Sequence, residues 1–245
     1  MRFLGTKPKL INTEIKGNDT NIIYCESNVT IMNSNIIANG SNALIYLSTG
    51  VVQAHIFSNS NSRLYIGKNN YFPTCYGTFL TSVFICVADG TTITIGSECP
   101  ISSGVCIESG DGHNIFDLTT GKNVSKNEDI FIGDAVWLGR DSHILKGSIV
   151  NTGSIIGSAA VLTGKHTNTG EVWAGVPARC IRSGVVYGHV NQSYLGQDKR
   201  YNFWNSVDAF KYNEDEEITI ERLKTFTLED FKELQLSNGR FIWKM

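Results

Sequence analysis

The stretch Ile132-Gly-Asp-Ala-Val-Trp137, Leu138-Gly-Arg-Asp-Ser-His143, Ile144-Leu-Lys-Gly-Ser-Ile149, Val150-Asn-Thr-Gly-Ser-Ile155, Ile156-Gly-Ser-Ala-Ala-Val161, Leu162 decides the fold. An aliphatic residue returns at every sixth position: Ile132, Leu138, Ile144, Val150, Ile156 and Leu162. The fifth place of each hexad is restricted as well, to Val136, Ser142, Ser148, Ser154 and Ala160, all small or β-branched. An amphipathic helix repeats near 3.6 residues and a half-buried strand at 2, so neither produces a pure six. Repeated hexapeptides mark a parallel β-helix, in which each hexad is a short strand plus a turn and three faces close one coil. The aliphatic place is predicted to point into the prism and the small fifth place to sit at a tight corner.

Upstream, Ile95, Ile101, Ile107 and His113 share one register, which places His113 where an inward aliphatic is expected. The register then breaks before Ile132. The break holds Asp117, Thr119, Thr120, Lys122, Asn123, Lys126, Glu128 and Asp129, a polar stretch that cannot bury itself. It is predicted as a loop extruded from the stack at about 114–131, and long loops on a rigid scaffold commonly carry function. Residues 1–90, rich in Asn, Ser, Thr and Ile, read as irregular N-terminal coils of the same helix, and 95–183 as regular hexad coils. A β-helix domain over 1–186 is thus followed by an extension over 187–245, rich in aromatics. Within it, Thr227–Leu234 reads as a short helix with Thr227 as N-cap. This partly helical extension is expected to cap the last coil or to contact another subunit.

Composition narrows the classes. A net charge of −2 gives no electrostatic case for nucleic acid or a membrane surface. No apolar run approaches the ~18 residues of a membrane span, and the start Met1-Arg-Phe-Leu-Gly lacks a signal-peptide core. Six cysteines (Cys25, Cys75, Cys86, Cys99, Cys106, Cys180) form no CxxC pair, and a reduced, cytoplasmic setting is the simplest account. No GxSxG, Walker or dinucleotide-binding pattern is present.

Five short motifs occur in order: Asp111-Gly-His113-Asn-Ile-Phe-Asp117; Asp129-Ile-Phe-Ile-Gly-Asp134-Ala-Val-Trp137-Leu-Gly139; Ile144-Leu-Lys-Gly147; Ile156-Gly-Ser-Ala-Ala-Val-Leu-Thr-Gly-Lys165; and Ala174-Gly-Val-Pro-Ala-Arg179. Together they resemble the hexapeptide-repeat acyltransferases, and within them the bacterial O-acetyltransferases of surface polysaccharides, including those acting on sialic acid. The resemblance covers about 95–183. It implies a left-handed β-helix, acetyl-CoA as co-substrate, a carbohydrate acceptor, and a homotrimer with sites between subunits. Handedness rests on the resemblance alone, since ordinary parallel crossovers are right-handed.

A sugar hydroxyl needs a base to become a nucleophile, and His113, at the edge of the loop, is the candidate. Asp111 and Asp117 are candidates to orient its ring, with turn and capping roles equally open. The resemblance brings Trp137 close to the reaction centre, where the indole N–H can donate to the thioester and its face can pack on pantetheine. It also marks Gly139 for a backbone contact to the thioester, Gly157, Ser158 and Gly175 for small residues around the cofactor arm, and Lys165 and Arg179 for phosphates. No metal is expected: the zinc enzymes of this fold need closely spaced histidines, and His143 and His166 are far apart. An amino-sugar N-acetyltransferase and a non-enzymatic β-helical binding module are the alternatives. The module predicts no thermal shift with acetyl-CoA.

Overall fold

In the computed structural model, all six aliphatic first places, Ile132 to Leu162, lie buried inside a three-sided coil. The structure describes residues 1–48, 50–73, 82–185 and 187, and the backbone pairing of Ile218–Thr219 with Trp243–Lys244. The first face stacks Arg2–Gly5, Ile22–Cys25, Leu44–Leu47, Arg63–Ile66, Thr92–Ile95, Ile130–Ile132 and Ile149–Val150. The second runs from Lys9–Lys16 through Val29–Ala38, Ala54–Ser58, Val83–Val87, Cys106–Glu108 and His143–Leu145 to Val161–Thr163. The third stacks Trp137–Leu138, Ile155–Ile156 and Val172–Ala174, with Arg179–Arg182 added antiparallel at its end. Each core aliphatic contributes about 1.5–3 kcal/mol by leaving water, before chain entropy is counted.

The corners refine the expectation for the fifth place. Val136, Ser142, Ser148, Ser154 and Ala160 are fully buried. The bend itself is made one residue earlier, where Ala135, Asp141, Gly147, Gly153 and Ala159 all take positive φ. A left-handed residue at each corner turns the chain, and the small fifth side chain then fills the angle behind it.

The N-terminal coils sit on the same faces with a different step. Phe131 pairs with Ile149 and His143 with Val161, eighteen positions apart in both cases. Arg2 pairs with Ile22, Ile22 with Leu44 and Leu44 with Arg63, so those coils take twenty, twenty-two and nineteen positions. Their corners use asparagine, which tolerates positive φ better than most residues. Asn12 donates to Asn33 at 3.1 Å and Asn42 to Asn61 at 3.3 Å, and all four hold positive φ. The Asn-rich composition is thus a set of stacked corners. Tyr24 stacks on Tyr46 at 5.2 Å on the outer side of the first face.

Cys25 and Cys99 are buried, and the described cysteines are free. No helix among the described residues is long and apolar enough to cross a membrane. The expected helix at Thr227–Leu234, and the extension apart from Tyr187 and the short backbone pair, lie outside the described residues.

Candidate active site

The loop is set by its neck. After Cys106–Glu108 the chain leaves the second face, and the Glu128 N–H donates to the Ser109 carbonyl at 2.9 Å. Asp129 then accepts the Thr92 N–H at 2.8 Å, which fixes the chain to the preceding coil before the Ile130–Ile132 strand begins. The extruded segment is therefore 110–127, rather than about 114–131. The expectation that His113 occupies an inward place is also corrected: Ile107 is the last inward aliphatic before the loop, and His113 is exposed on its outgoing arm. The shared register ends at the neck because the backbone leaves the coil there.

Inside the loop, the Val124 N–H donates to the Ile115 carbonyl at 2.7 Å, and Phe116 bridges Asn123 in antiparallel fashion. Asp117 accepts the Thr119 and Thr120 N–H groups at 3.0 and 2.7 Å and the Thr120 hydroxyl at 2.8 Å. Those bonds, the Thr120 N–H foremost, hold its carboxyl below the usual range. Asp117 therefore makes the turn. Asp111 pairs with Lys146 of the next coil, which ties the outgoing arm to the stack. Both candidate orienters of His113 thus have other partners. Ile115, Phe116, Leu118 and Val124 are all exposed on this small hairpin.

The loop leaves at the corner shared by the second and first faces. In a three-sided prism that corner is opposite the third face, where Trp137 stands 42% exposed. Trp137 lines a cleft of about 620 Å³ with Tyr71, Pro100, Ser102, Arg140 and Ser158 among its other walls. Tyr187 packs on Trp137 with ring centroids 6.1 Å apart, and its hydroxyl donates to the Glu98 carbonyl at 2.8 Å. Burial, with Cys99, Glu98 and Tyr71 adding to it, pushes the Tyr187 hydroxyl well above its ordinary range, so it stays protonated as a donor.

Of the residues expected around the cofactor, Trp137 and Ser158 share this cleft. The Gly139 N–H already donates to the Ile156 carbonyl at 2.7 Å, so it does not face a thioester. A Cβ there would lie 2.6 Å from that carbonyl oxygen and from the Ser158 nitrogen, so glycine is required by stacking of the next coil. The Gly157 N–H likewise donates to the Trp173 carbonyl at 2.8 Å. Gly175 is exposed at a positive φ, after Val172–Ala174. Arg179 is exposed on the last strand of the third face, three strand spacings from the Trp137 strand, or about 14 Å along the prism at ~4.8 Å per strand. Lys165 is exposed on another edge, beside His166, at the corner that carries the loop. A second cleft of about 630 Å³ lies at that corner, lined by Asp89, Glu128, Asp129 and His166 among others.

Sequence reasoning did not single out Arg140, Tyr71 or Tyr187. Arg140 had a signal, because a charged residue stands there at the third hexad place, where Ser158 is exposed as well. Tyr71 had none, since its coil keeps no six-residue rhythm.

The chain matches no protein-family profile. It is 30% identical to the polysialic acid O-acetyltransferase of Neisseria meningitidis over 172 residues, 69% of this chain and 76% of that protein. It is 28% identical to the polysialic acid O-acetyltransferase of Escherichia coli O1:K1 / APEC over 150 residues, 61% of this chain. That match spans only 46% of the E. coli protein. The crystal structure of the polySia-specific acetyltransferase NeuO has the same fold, with a TM-score of 0.70 at 24% identity, over 85% of this chain and 94% of that one. The hexad coils, the loop with its histidine, the tryptophan cleft and these relatives lead to one conclusion: the chain belongs to the family of the polysialic acid O-acetyltransferases, of the hexapeptide-repeat fold.

Proposed function

We propose that this protein transfers an acetyl group from acetyl-CoA to a hydroxyl of a sialic acid polymer, with His113 as general base. The observation that carries the reading is the placement of an exposed histidine on an extruded loop and an exposed tryptophan in a cleft, within a chain of this family. In the reaction, the imidazole takes the hydroxyl proton as the sugar oxygen attacks the thioester carbonyl. The tetrahedral intermediate collapses, the C–S bond breaks, and the departing CoA sulfur receives the proton from the imidazolium. The Trp137 indole N–H is the donor nearest the developing oxyanion, and its ring and Ser158 border the slot for the pantetheine arm. Arg179, further along the same face, is the phosphate partner that the geometry favours over Lys165.

His113 and Trp137 lie on opposite sides of one prism, so a joint site needs two copies. The apolar hairpin tip supports this, because Ile115, Phe116, Leu118 and Val124 stand exposed together and are suited to pack on a neighbour. The assembly we propose is a cyclic homotrimer in which the loop of one copy meets the third face of the next. A cytoplasmic location fits the free cysteines and the supply of acetyl-CoA.

The test is incubation of the full chain with acetyl-CoA and polysialic acid, sialic acid monomer or unrelated oligosaccharides, with mass detection of acetylated product. Acetylation of the polymer is expected. Its absence, with transfer to an amino sugar instead, would overturn the acceptor assignment.

A further inference from the structure

On the outer side of the second face, away from the Trp137 cleft, Cys106, Glu108 and His143 place one sulfur, one carboxylate oxygen and one imidazole nitrogen within 4.8 Å of one another. The fold forces this meeting. Ile107 and Ile144 point inward and are fully buried, so their neighbours Cys106, Glu108 and His143 project outward. Cys106 and His143 are cross-strand partners although the loop separates them in the chain. The same register sets Phe84 beside Cys106, Val161 beside His143 and Leu145 beside Glu108. Cys86 flanks Glu108 on its other side, so the three donors, only partly open to water, have three apolar neighbours and one further thiol.

From this geometry we infer that Cys106, Glu108 and His143 form a binding site for a zinc-type divalent cation. A soft thiolate with an imidazole and a carboxylate suits zinc or cobalt, and excludes magnesium and calcium, which demand oxygen ligands. Three protein ligands leave a fourth tetrahedral position for water. Bound ligands in such a tetrahedron stand about 3.5 Å apart at the usual metal–ligand lengths, so the three side chains need only small rotations from their present spacing. The ion takes the place of the thiol proton, which passes to solvent. The site ties the coil that ends at the loop to the coil that follows it, and so braces the loop neck. It is independent of the acetyl-transfer chemistry.

The experiment uses the full chain stripped with a chelator and titrated with cobalt(II) alone, then with zinc(II). One cobalt per chain is expected to bind with Kd below ~10 µM, with a thiolate-to-cobalt charge-transfer band and tetrahedral d–d bands, and zinc should displace it. Cys106→Ser should lose the charge-transfer band, while Cys180→Ser, at an exposed thiol, should keep it. His143→Gln and Glu108→Gln should weaken affinity at least tenfold. Zinc should raise the melting temperature of the wild type and not that of Cys106→Ser or His143→Gln. A band that survives Cys106→Ser, uptake weaker than ~10 µM, or equal affinity in His143→Gln would each overturn the assignment, whatever the acetyl-transfer assays give.

Discussion

Where the loop leaves the prism, irregular backbone is held by side-chain bonds of Asp117 to Thr119 and Thr120 and of Lys146 to Asp111, and by a backbone bond from Glu128 to Ser109. On the opposite face, Trp137 stands on a short strand whose backbone pairs with the next coil, and Ser158 stands on the turn that follows Ile155–Ile156. On the proposed function, the loop supplies the base, His113, on an exposed arm. The third face then supplies a wall for the co-substrate. On that reading, the base and the wall stand on separate parts of one chain and meet only between two copies.

Mutations at the two places should have different signatures. His113→Ala is expected to cost ~10²–10⁴ in kcat, the usual worth of a general base, with acetyl-CoA affinity and melting temperature unchanged. Kinetics and equilibrium binding on one sample check this; a near-normal rate would remove His113 from the mechanism. Trp137→Ala is expected to lower kcat about 10²-fold through loss of the oxyanion donor, and to weaken acetyl-CoA as well. Loss of CoA affinity in Trp137→Ala but not in His113→Ala is the contrast between wall and base; equal effects would erase it.

Gly139→Ala sharpens the comparison through stability. Because its Cβ would meet the Ile156 carbonyl at 2.6 Å, the variant should lose about 1–3 kcal/mol, measured by denaturant titration. A normal stability with raised KM for acetyl-CoA would restore Gly139 to the binding site. The smallest effect is expected for Lys146→Met, which removes the ion pair to Asp111. A partly exposed pair contributes about 0–1 kcal/mol, so global stability should barely move while hydrogen exchange at Gly112–Asn114 quickens. Unchanged exchange there would show that the ion pair does not hold the loop arm.

The hexads from Ile132 to Leu162 made the fold legible because eighteen residues divide evenly over three faces. The coils before Arg63 escape that rhythm, since extra residues at their corners shift each aliphatic out of step while sheet register is kept. Their asparagines, read only as part of irregular coils, form stacked corners. Trp137 and His113 were legible as candidates because both stand in short motifs. Their separation by the width of the prism was not, because one-dimensional spacing carries no face. Gly139 was assigned a contact that its own ladder bond prevents. The Cys106–Glu108–His143 cluster was hidden by the loop, which parts cross-strand neighbours along the chain.

If His113 of one copy works with Trp137 of the next, two defective chains should rescue each other. The experiment mixes His113→Ala and Trp137→Ala chains, unfolded and reassembled together, each variant alone keeping about a hundredth of wild-type activity or less. If the site spans two copies in a cyclic trimer, random mixing at equal amounts leaves ~one quarter of the sites with both residues intact. Activity should then return to about that fraction of wild type. A mixture as inactive as its components would contradict the account and place the whole site within one chain.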